Sequence, residues 1–171
     1  MSDDKKGMLR HVDVLGRVVI PREVRKAMRI NYGDLMEFCA CNNKQVVMRK
    51  FHLIREIVPL ASQIVKVARI SSECDIAILD TEKVICWNGE TSGDFGSILD
   101  NVRQMIDDRK TKLVSDIKLS PQKTVSGESV FQPILCDGDV LGAVVVKSVN
   151  TDQSKSLANL IAEFLASYFG E

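Results

Sequence analysis

Short apolar runs separated by turn-forming residues mark the first fifty residues of the chain. Four of these runs have the length and the β-branched or aromatic content of strands: 8–14, 17–21, 35–41 and 45–51. After the second run, Pro21 suits the first position of a short helix, because its missing N–H would have no partner there. Gly33 is placed to end that helix in a left-handed turn. The pattern therefore predicts the order ββαββ over residues 1–51, with a hairpin loop at 42–44.

A ββαββ segment with so short a helix has a thin core. Domains of about 50 residues usually need disulfides, metals or association to be stable. The five cysteines of the chain have no framework spacing, and the segment offers no set of metal ligands. We therefore expect residues 1–51 to fold as an obligate homodimer.

The pattern becomes helical after residue 51. Apolar residues step by three and four along one predicted helix face: Ile54, Ile57, Ala61, Ile64 and Ala68. Pro59 interrupts this face and should kink the helix or end one of its turns. Residues 52–72 are therefore predicted to form a helix leading into a second domain. It either contributes to association or packs only on its own domain.

The second domain, 73–171, alternates predicted strands and helices. Strands are expected at 75–80, 83–88, 112–115, 129–135 and 140–148, and helices at 93–109 and 154–169. Asp137-Gly138 is a strong hairpin signal between the last two strands. The final helix should bury one apolar stripe: Leu157, Leu160, Ile161, Phe164 and Leu165. The whole chain is therefore predicted to be α+β, with an antiparallel sheet flanked by helices in its second part.

Composition adds a charge asymmetry to this picture. The net charge is zero, yet residues 1–50 hold eleven Lys and Arg against six Asp and Glu, and residues 51–171 hold twelve against seventeen. A basic part of +5 beside an acidic part of −5 favours nucleic acid or anionic lipid as the partner of the first domain. No apolar run approaches the ~18 residues of a membrane span, and the polar start is no secretory signal, so a cytoplasmic location is expected.

The positive charge is concentrated on the predicted helix. At about 100° per residue, four cationic residues fall within one arc of about 100°: Arg22, Arg25, Lys26 and Arg29. The apolar residues Val24, Ala27 and Met28 fall on the opposite side. Like charges at these spacings repel by a few tenths of a kcal/mol per pair, and this face holds no acid. Arg10 and Arg17, on the flanking strands, extend the same surface.

Nucleic acid is the favoured partner of this basic surface. Arginine outnumbers lysine by five to one between Arg10 and Arg29, and arginine is suited to planar recognition of phosphates and guanine edges. The alternatives are a merely solvated face and an anionic lipid surface.

The stretch "GMLRHVDVLGRVVIPREVRKAMRI", followed by "GDLMEF", resembles the AbrB-type swapped-hairpin DNA-binding module of bacterial transition-state regulators. The resemblance covers about residues 7–51 and implies two interleaved ββαββ chains bound to double-stranded DNA. It implies DNA contacts by Arg10, Arg17, Arg25 and Lys26. Lys26 stands where many relatives have arginine, so we expect a phosphate contact there instead of a bidentate base contact.

The second domain, and "FQPILCDGDVLGAVVV" in particular, resembles a GAF-like domain. Together the two resemblances imply a bacterial regulator of late, forespore sporulation genes, activating or repressing them. They also imply a homotetramer in which GAF-like domains join swapped dimers. Whether the second domain also binds a small-molecule ligand stays open, because a GAF-like fold does not by itself decide function. The alternative to a regulator is an AbrB-type antitoxin or other interaction module.

Few other residues point to chemistry. Trp87 and Asn88 end a predicted strand where a pocket mouth could lie; alternatively, Trp87 simply fills core volume and the glycines of the following loop form turns. Cys39 and Cys41 share a strand face but lack a second pair for metal, and the remaining cysteines are core residues or redox sensors. His11 should face solvent or DNA, and no partner of His52 is recognisable. With no catalytic motif, we expect neither an enzyme nor a cofactor or metal.

Overall fold

The computed structural model describes residues 7–42 and 44–169. Contacts between residues divide the chain into two compact units, Met1–Phe51 and His52–Glu171. Helices and antiparallel sheets occur together, so the predicted α+β class is confirmed.

The first unit contains one helix and one strand hairpin. Helix α1 spans Arg22–Ala27, strand β1 spans Met36–Cys41 and strand β2 spans Gln45–Lys50. The two strands pair antiparallel along their whole length, as the apolar pattern predicted. Lys44 takes a positive φ of 58° in the loop between them. Asn43, in the same predicted loop, lies outside the described residues.

The strands predicted at 8–14 and 17–21 are not formed in this single chain. Within the described residues, backbone hydrogen bonds close only the turn between the two segments, from Asp13 N–H to Arg17 O and from Gly16 N–H to Asp13 O. A strand persists only where a neighbouring strand satisfies its backbone N–H and C=O groups. These two predicted strands are therefore not found among the described residues of a single chain, and their formation in the predicted dimer stays a prediction.

Helix α1 is shorter than the pattern predicted. Met28 follows its last residue, and Arg29 has a φ of 52°, so the backbone leaves the helical path before Arg29. Gly33 has the expected left-handed φ, 87°. It belongs to a separate turn, however, in which the Asp34 carboxylate accepts from the Asn31 N–H at 2.7 Å. The left-handed residue that follows the helix is thus Arg29, and not the glycine.

The second unit begins with two consecutive helices. Helix α2 spans Leu53–Glu56 and helix α3 spans Val58–Ser71. The break at Ile57 confirms the interruption predicted from Pro59, which lies in the first turn of α3. Ile54, Ile57 and Ala61 are buried, and their neighbour Val65 completes the buried seam. Both helices pack on the core of the second unit.

Five strands form one antiparallel sheet in the second unit. Their bounds are Cys74–Leu79 (β3), Val84–Trp87 (β4), Lys112–Lys118 (β5), Thr124–Cys136 (β6) and Asp139–Ser148 (β7). The order across the sheet is β4-β3-β7-β6-β5. Asp137 and Gly138 have φ values of 49° and 84°, so the predicted two-residue hairpin is present between β6 and β7.

Two helices complete the second unit: α4 spans Asp100–Asp107 and α5 spans Thr151–Ser167. Helix α4 starts later than predicted. Gly96 has a φ of 79°, and Ser97 forms a bridge with Lys83 beside β4, so the residues before α4 follow the sheet instead of coiling. Helices α3 and α5 cover one core cluster, and α4 lies against the other.

The buried face of α5 differs from the predicted stripe. Ile161 and Leu165 are buried, whereas Leu160 and Phe164 are 65% and 40% exposed. Small residues complete the buried face in their place: Ser154, Ala158 and Ala162. Small side chains let the helix pack closely on β6 and β7. The side of α5 that carries them therefore faces the sheet, instead of the side with the larger apolar residues.

Candidate nucleic-acid interface

A tight turn organises the basic segment before α1. The Asp13 carboxylate accepts hydrogen bonds from the N–H groups of Leu15 at 2.9 Å and Arg17 at 2.8 Å, and from the Arg17 Nε at 2.7 Å. Gly16 supplies the positive φ, 76°, that the turn requires. Hydrogen bonds from the backbone and the side chain of Arg17 hold the pKa of the Asp13 carboxyl below its usual value.

The six predicted DNA-binding residues are all solvent-exposed: Arg10, Arg17, Arg22, Arg25, Lys26 and Arg29. Arg17 pairs with Asp13 on the surface, and its side chain is still 72% exposed. Arg10 donates from one terminal nitrogen to the Leu9 carbonyl at 2.8 Å. No cationic side chain of this set is therefore taken up in a buried ion pair.

The structure keeps three of the four residues of the predicted arc on one helix. Arg22, Arg25 and Lys26 lie on α1 at spacings of three and four, which places them on one helix face. Arg29 lies beyond the end of the helix and has a left-handed φ of 52°, so it does not share that face. Arg10 and Arg17 lie on the extended segments around the turn.

The first unit has almost no core of its own. Among its described residues, Ile30 is the one buried hydrophobic side chain. Large apolar side chains are exposed throughout the unit: Leu9, Val12, Val14, Leu15, Val18, Val19, Tyr32, Leu35, Phe38, Val46 and Val47. A soluble monomer rarely exposes so many large apolar side chains in one small unit, and such exposure is typical of an interaction surface.

The sequence reasoning missed the role of Asp13, which was counted only as an acid within a basic stretch. The sequence did contain a signal for this turn, an Asp followed three residues later by a Gly. Asp side chains accept hydrogen bonds from backbone groups shortly downstream, and glycine supplies positive φ.

Trp87 and Asn88 have structural partners. The Asn88 side chain accepts from the Ile76 N–H at 2.8 Å and donates to the Asp75 carboxylate at 3.0 Å, which ties β3 to the turn after β4. The Lys123 ammonium lies 4.7 Å from the centre of the Trp87 ring. These contacts fit the structural alternative for both residues.

An open groove of about 410 Å³ lies elsewhere in the second unit, where α3 and β7 end and β3 begins. Its lining mixes both signs of charge, from Arg69, Glu73, Asp75 and Lys147. Such a lining identifies no particular ligand.

His52 has partners that the sequence did not reveal. Its Nε2 lies 3.0 Å from a Glu82 carboxylate oxygen, and its Nδ1 lies 3.5 Å from the Thr81 hydroxyl. The same Glu82 oxygen accepts from Arg55 at 3.0 Å, and Arg55 Nε donates to the buried Asp80 at 2.5 Å. These partners were not recognisable from the sequence, because Thr81 and Glu82 lie about thirty residues from His52 along the chain. His11 is exposed, as expected.

The cysteines do not form a reactive or metal-binding set in the described chain. Cys74 and Cys86 are buried, and burial raises the pKa of both thiols, which is the opposite of what a reactive thiolate needs. Cys39 is half-buried and Cys41 is exposed. Over residues 7–42 and 44–169, no group of three or more His, Cys, Asp or Glu side chains could hold a metal ion.

Within the same described residues, no helix has both the length and the apolar character that crossing a membrane requires.

Known proteins resemble this chain over most of its length. The family model described as "Stage V sporulation protein T C-terminal, transcription factor" matches residues 56–170. Stage V sporulation protein T of Bacillus subtilis (strain 168) is 31% identical over 148 residues, covering 83% of each chain.

Solved structures give more distant similarities. A methyl-accepting chemotaxis protein fragment shows a TM-score of 0.42 at 18% identity, covering 68% of this chain and 93% of its own. A type II free methionine-R-sulfoxide reductase from Thermoplasma acidophilum shows a TM-score of 0.45 at 12% identity, covering 67% and 93%. No function is inferred from either.

The family model matches more than half of the chain, and the relative is more than 30% identical over more than two thirds of it, so together they show the family. The chain belongs to the stage V sporulation protein T family of transcription factors.

Proposed function

We propose that this chain regulates transcription by binding double-stranded DNA through its first unit, as a dimer. The observation that carries the proposal is the exposure of all six cationic residues between Arg10 and Arg29, three of them on one face of α1. Lys and Arg side chains in such a patch neutralise phosphates and release counterions, which supplies most of the affinity for DNA. Arginines among them can also read base edges in the major groove.

The dimer follows from the missing core of the first unit. The segments 8–14 and 17–21 have strand-like sequences, exposed apolar side chains and no strand neighbour among the described residues of their own chain. A second copy offers complementary segments of the same kind, so interleaving two chains would pair the backbone groups and bury the apolar side chains together.

The proposed targets are sporulation genes, because the full-length relative is named for sporulation. A second association step, through the second unit, would join two dimers into a tetramer. Linking two DNA-binding modules raises their avidity by holding the second module at high effective concentration near its site.

The test of DNA binding is the double variant Arg25→Ala plus Lys26→Ala. If both side chains contact phosphates, the slope of log Kd against log salt concentration should be smaller than that of the unmodified chain by about 2. Fluorescence anisotropy of a labelled promoter duplex over a salt series measures that slope.

The matched control is Lys110→Ala plus Lys118→Ala, which removes the same charge from exposed positions of the second unit. Its salt slope should equal that of the unmodified chain. Equal slopes for all three proteins would contradict the proposed interface, and genome-wide mapping of bound DNA during sporulation checks the class of target genes.

A further inference from the structure

The turn at residues 13–17 places a carboxylate beside one of the proposed DNA-contacting arginines. We propose that Asp13 is a positioning residue that presents the terminal nitrogens of Arg17 to a base pair. Asp13 would thereby raise sequence preference, although its own charge opposes DNA binding. This inference rests on the proposed function of the first unit.

The carboxylate of Asp13 is held in place by its own backbone. One oxygen, Oδ1, accepts from two backbone N–H groups, those of Leu15 and Arg17. The other oxygen, Oδ2, accepts from Arg17 Nε at 2.7 Å. Because two bonds fix one oxygen, the second oxygen has a defined position, and the arginine that it binds has a restricted set of conformations.

The remaining donors of Arg17 suit guanine. A guanidinium has five N–H donors, one on Nε and four on the terminal nitrogens. Asp13 engages the Nε donor, and the side chain is 72% exposed. The two terminal nitrogens can therefore approach the O6 and N7 acceptors of a guanine end-on, in the bidentate contact that is common at specific sites. An arginine that is already restrained loses less conformational freedom on binding.

Electrostatic repulsion alone predicts a different result for the removal of the Asp13 charge. A negative charge in a DNA interface repels phosphates, so its removal should strengthen binding to every duplex alike. A positioning role predicts a fall in the preference for the best duplex over a scrambled one. The ratio of the two dissociation constants therefore separates the two explanations.

The experiment uses the full chain with two duplexes of equal length and composition. One carries the sequence that the unmodified chain prefers in an in vitro selection, and the other is scrambled. Asp13→Asn should lower the preference ratio about tenfold, the order expected for one bidentate base contact. Glu23→Gln, which removes an exposed acid of α1, should leave the ratio unchanged.

Two further variants separate positioning from loss of the turn. Asp13→Glu keeps the charge and moves the carboxylate by one methylene, so it should also lower the ratio; it provides the test if Asp13→Asn does not fold. In an Arg17→Ala background, Asp13→Asn should leave the ratio unchanged, whereas a loosened turn would lower it further.

The inference is overturned if Asp13→Asn and Asp13→Glu keep the preference of the unmodified chain, or if Asp13→Asn lowers the ratio equally without Arg17. Either outcome leaves the proposed function standing, because the unmodified chain still discriminates between the duplexes. Failure of the unmodified chain to bind DNA at all would overturn both proposals.

Discussion

At Gly142, the backbone of β7 leaves no room for a side chain beside the end of β3. A Cβ added there would lie 2.0 Å from the carbonyl oxygen of Leu79 and 3.0 Å from the Cα of Asp80. Both atoms belong to the backbone, so neither can move aside as the end of a flexible side chain would. The glycine is therefore required by the contact between β7 and the end of β3.

Gly142→Ala should destabilise the second unit by about 3 kcal/mol or more, because relief of the overlap requires a shift of the sheet. Urea unfolding measures the loss, with the fluorescence of Trp87, the one tryptophan of the chain, reporting on this unit. Gly138→Ala is the control: it has a positive φ but open space around its Cβ, and should cost only about 1 kcal/mol. Equal losses for the two variants would contradict the role given to the close approach.

Single residues also show where sequence reasoning succeeded and failed. Pro59 and the Asp137-Gly138 pair were placed correctly, because their effects on the backbone are local. Asp13 and His52 were not, since their roles depend on which groups lie nearby in the folded chain. The Asp13 turn spans the five residues 13–17 and could have been found from Asp and Gly alone, but the Glu82 partner of His52 could not.

At the scale of elements, one ion-pair network fixes α2 on the second unit. Arg55, on α2, reaches Asp80 and Glu82 in the loop between β3 and β4. Asp80 has no exposed side-chain surface, and its other oxygen accepts from the N–H groups of Glu82 at 2.6 Å and Lys83 at 2.7 Å. Asp80 thus has both oxygens satisfied, with Arg55 as its cationic partner.

Arg55→Ala should lower the free energy of unfolding by about 3 kcal/mol, because it leaves a buried carboxylate without its cation. Lys155→Ala, which breaks an exposed pair with Asp152, should cost less than about 0.5 kcal/mol. Urea unfolding of both variants provides the comparison. A loss for Arg55→Ala no greater than that for Lys155→Ala would show that the network does not stabilise this unit.

The apolar pattern of α5 illustrates how far an element can be predicted. Its existence followed from periodicity, and Asn150 caps its start by accepting from the Asp152 N–H. Periodicity alone did not identify the buried face, because apolar residues cover more of the helix than one neighbour can bury. The sheet buried Ala158 and Ala162 and left Leu160 and Phe164 partly in solvent.

At the scale of the whole molecule, the two units differ in how they bury apolar surface. The second unit has two clusters of buried side chains, one on each face of its sheet. The first unit buries Ile30 alone among its described hydrophobic residues. The proposed association would therefore give the first unit the core that it lacks, whereas the second unit already has one.

An exposed stripe on α5 is the proposed contact between dimers. Leu160, Phe164 and Tyr168 follow one another at intervals of four, and they are 65%, 40% and 60% exposed. Leu160→Glu should convert a tetramer to a dimer, because a charge would be buried in an apolar contact. Sedimentation velocity at micromolar concentration measures the assembly.

Val149→Glu, at an 88% exposed position in the loop before α5, is the matched control and should leave the tetramer intact. Unfolding monitored by Trp87 fluorescence should be the same for both variants, since neither residue is in the core. A Leu160→Glu protein that sediments as a tetramer would exclude this face.

The sequence by itself determined the local features of this protein. Periodicity, Pro59 and the Asp-Gly turn determined most helices, strands and hairpins, because each of these signals acts over a few residues. The charge count separated a basic part from an acidic one, because net charge is the sum of the charged residues in each part. Tertiary structure alone decided which side of α5 is buried and which groups surround His52 and Asp80. It also decided that residues 8–21 find no strand neighbour among the described residues of the chain. These outcomes depend on contacts between residues far apart in sequence, where packing and hydrogen-bond partners are selected together.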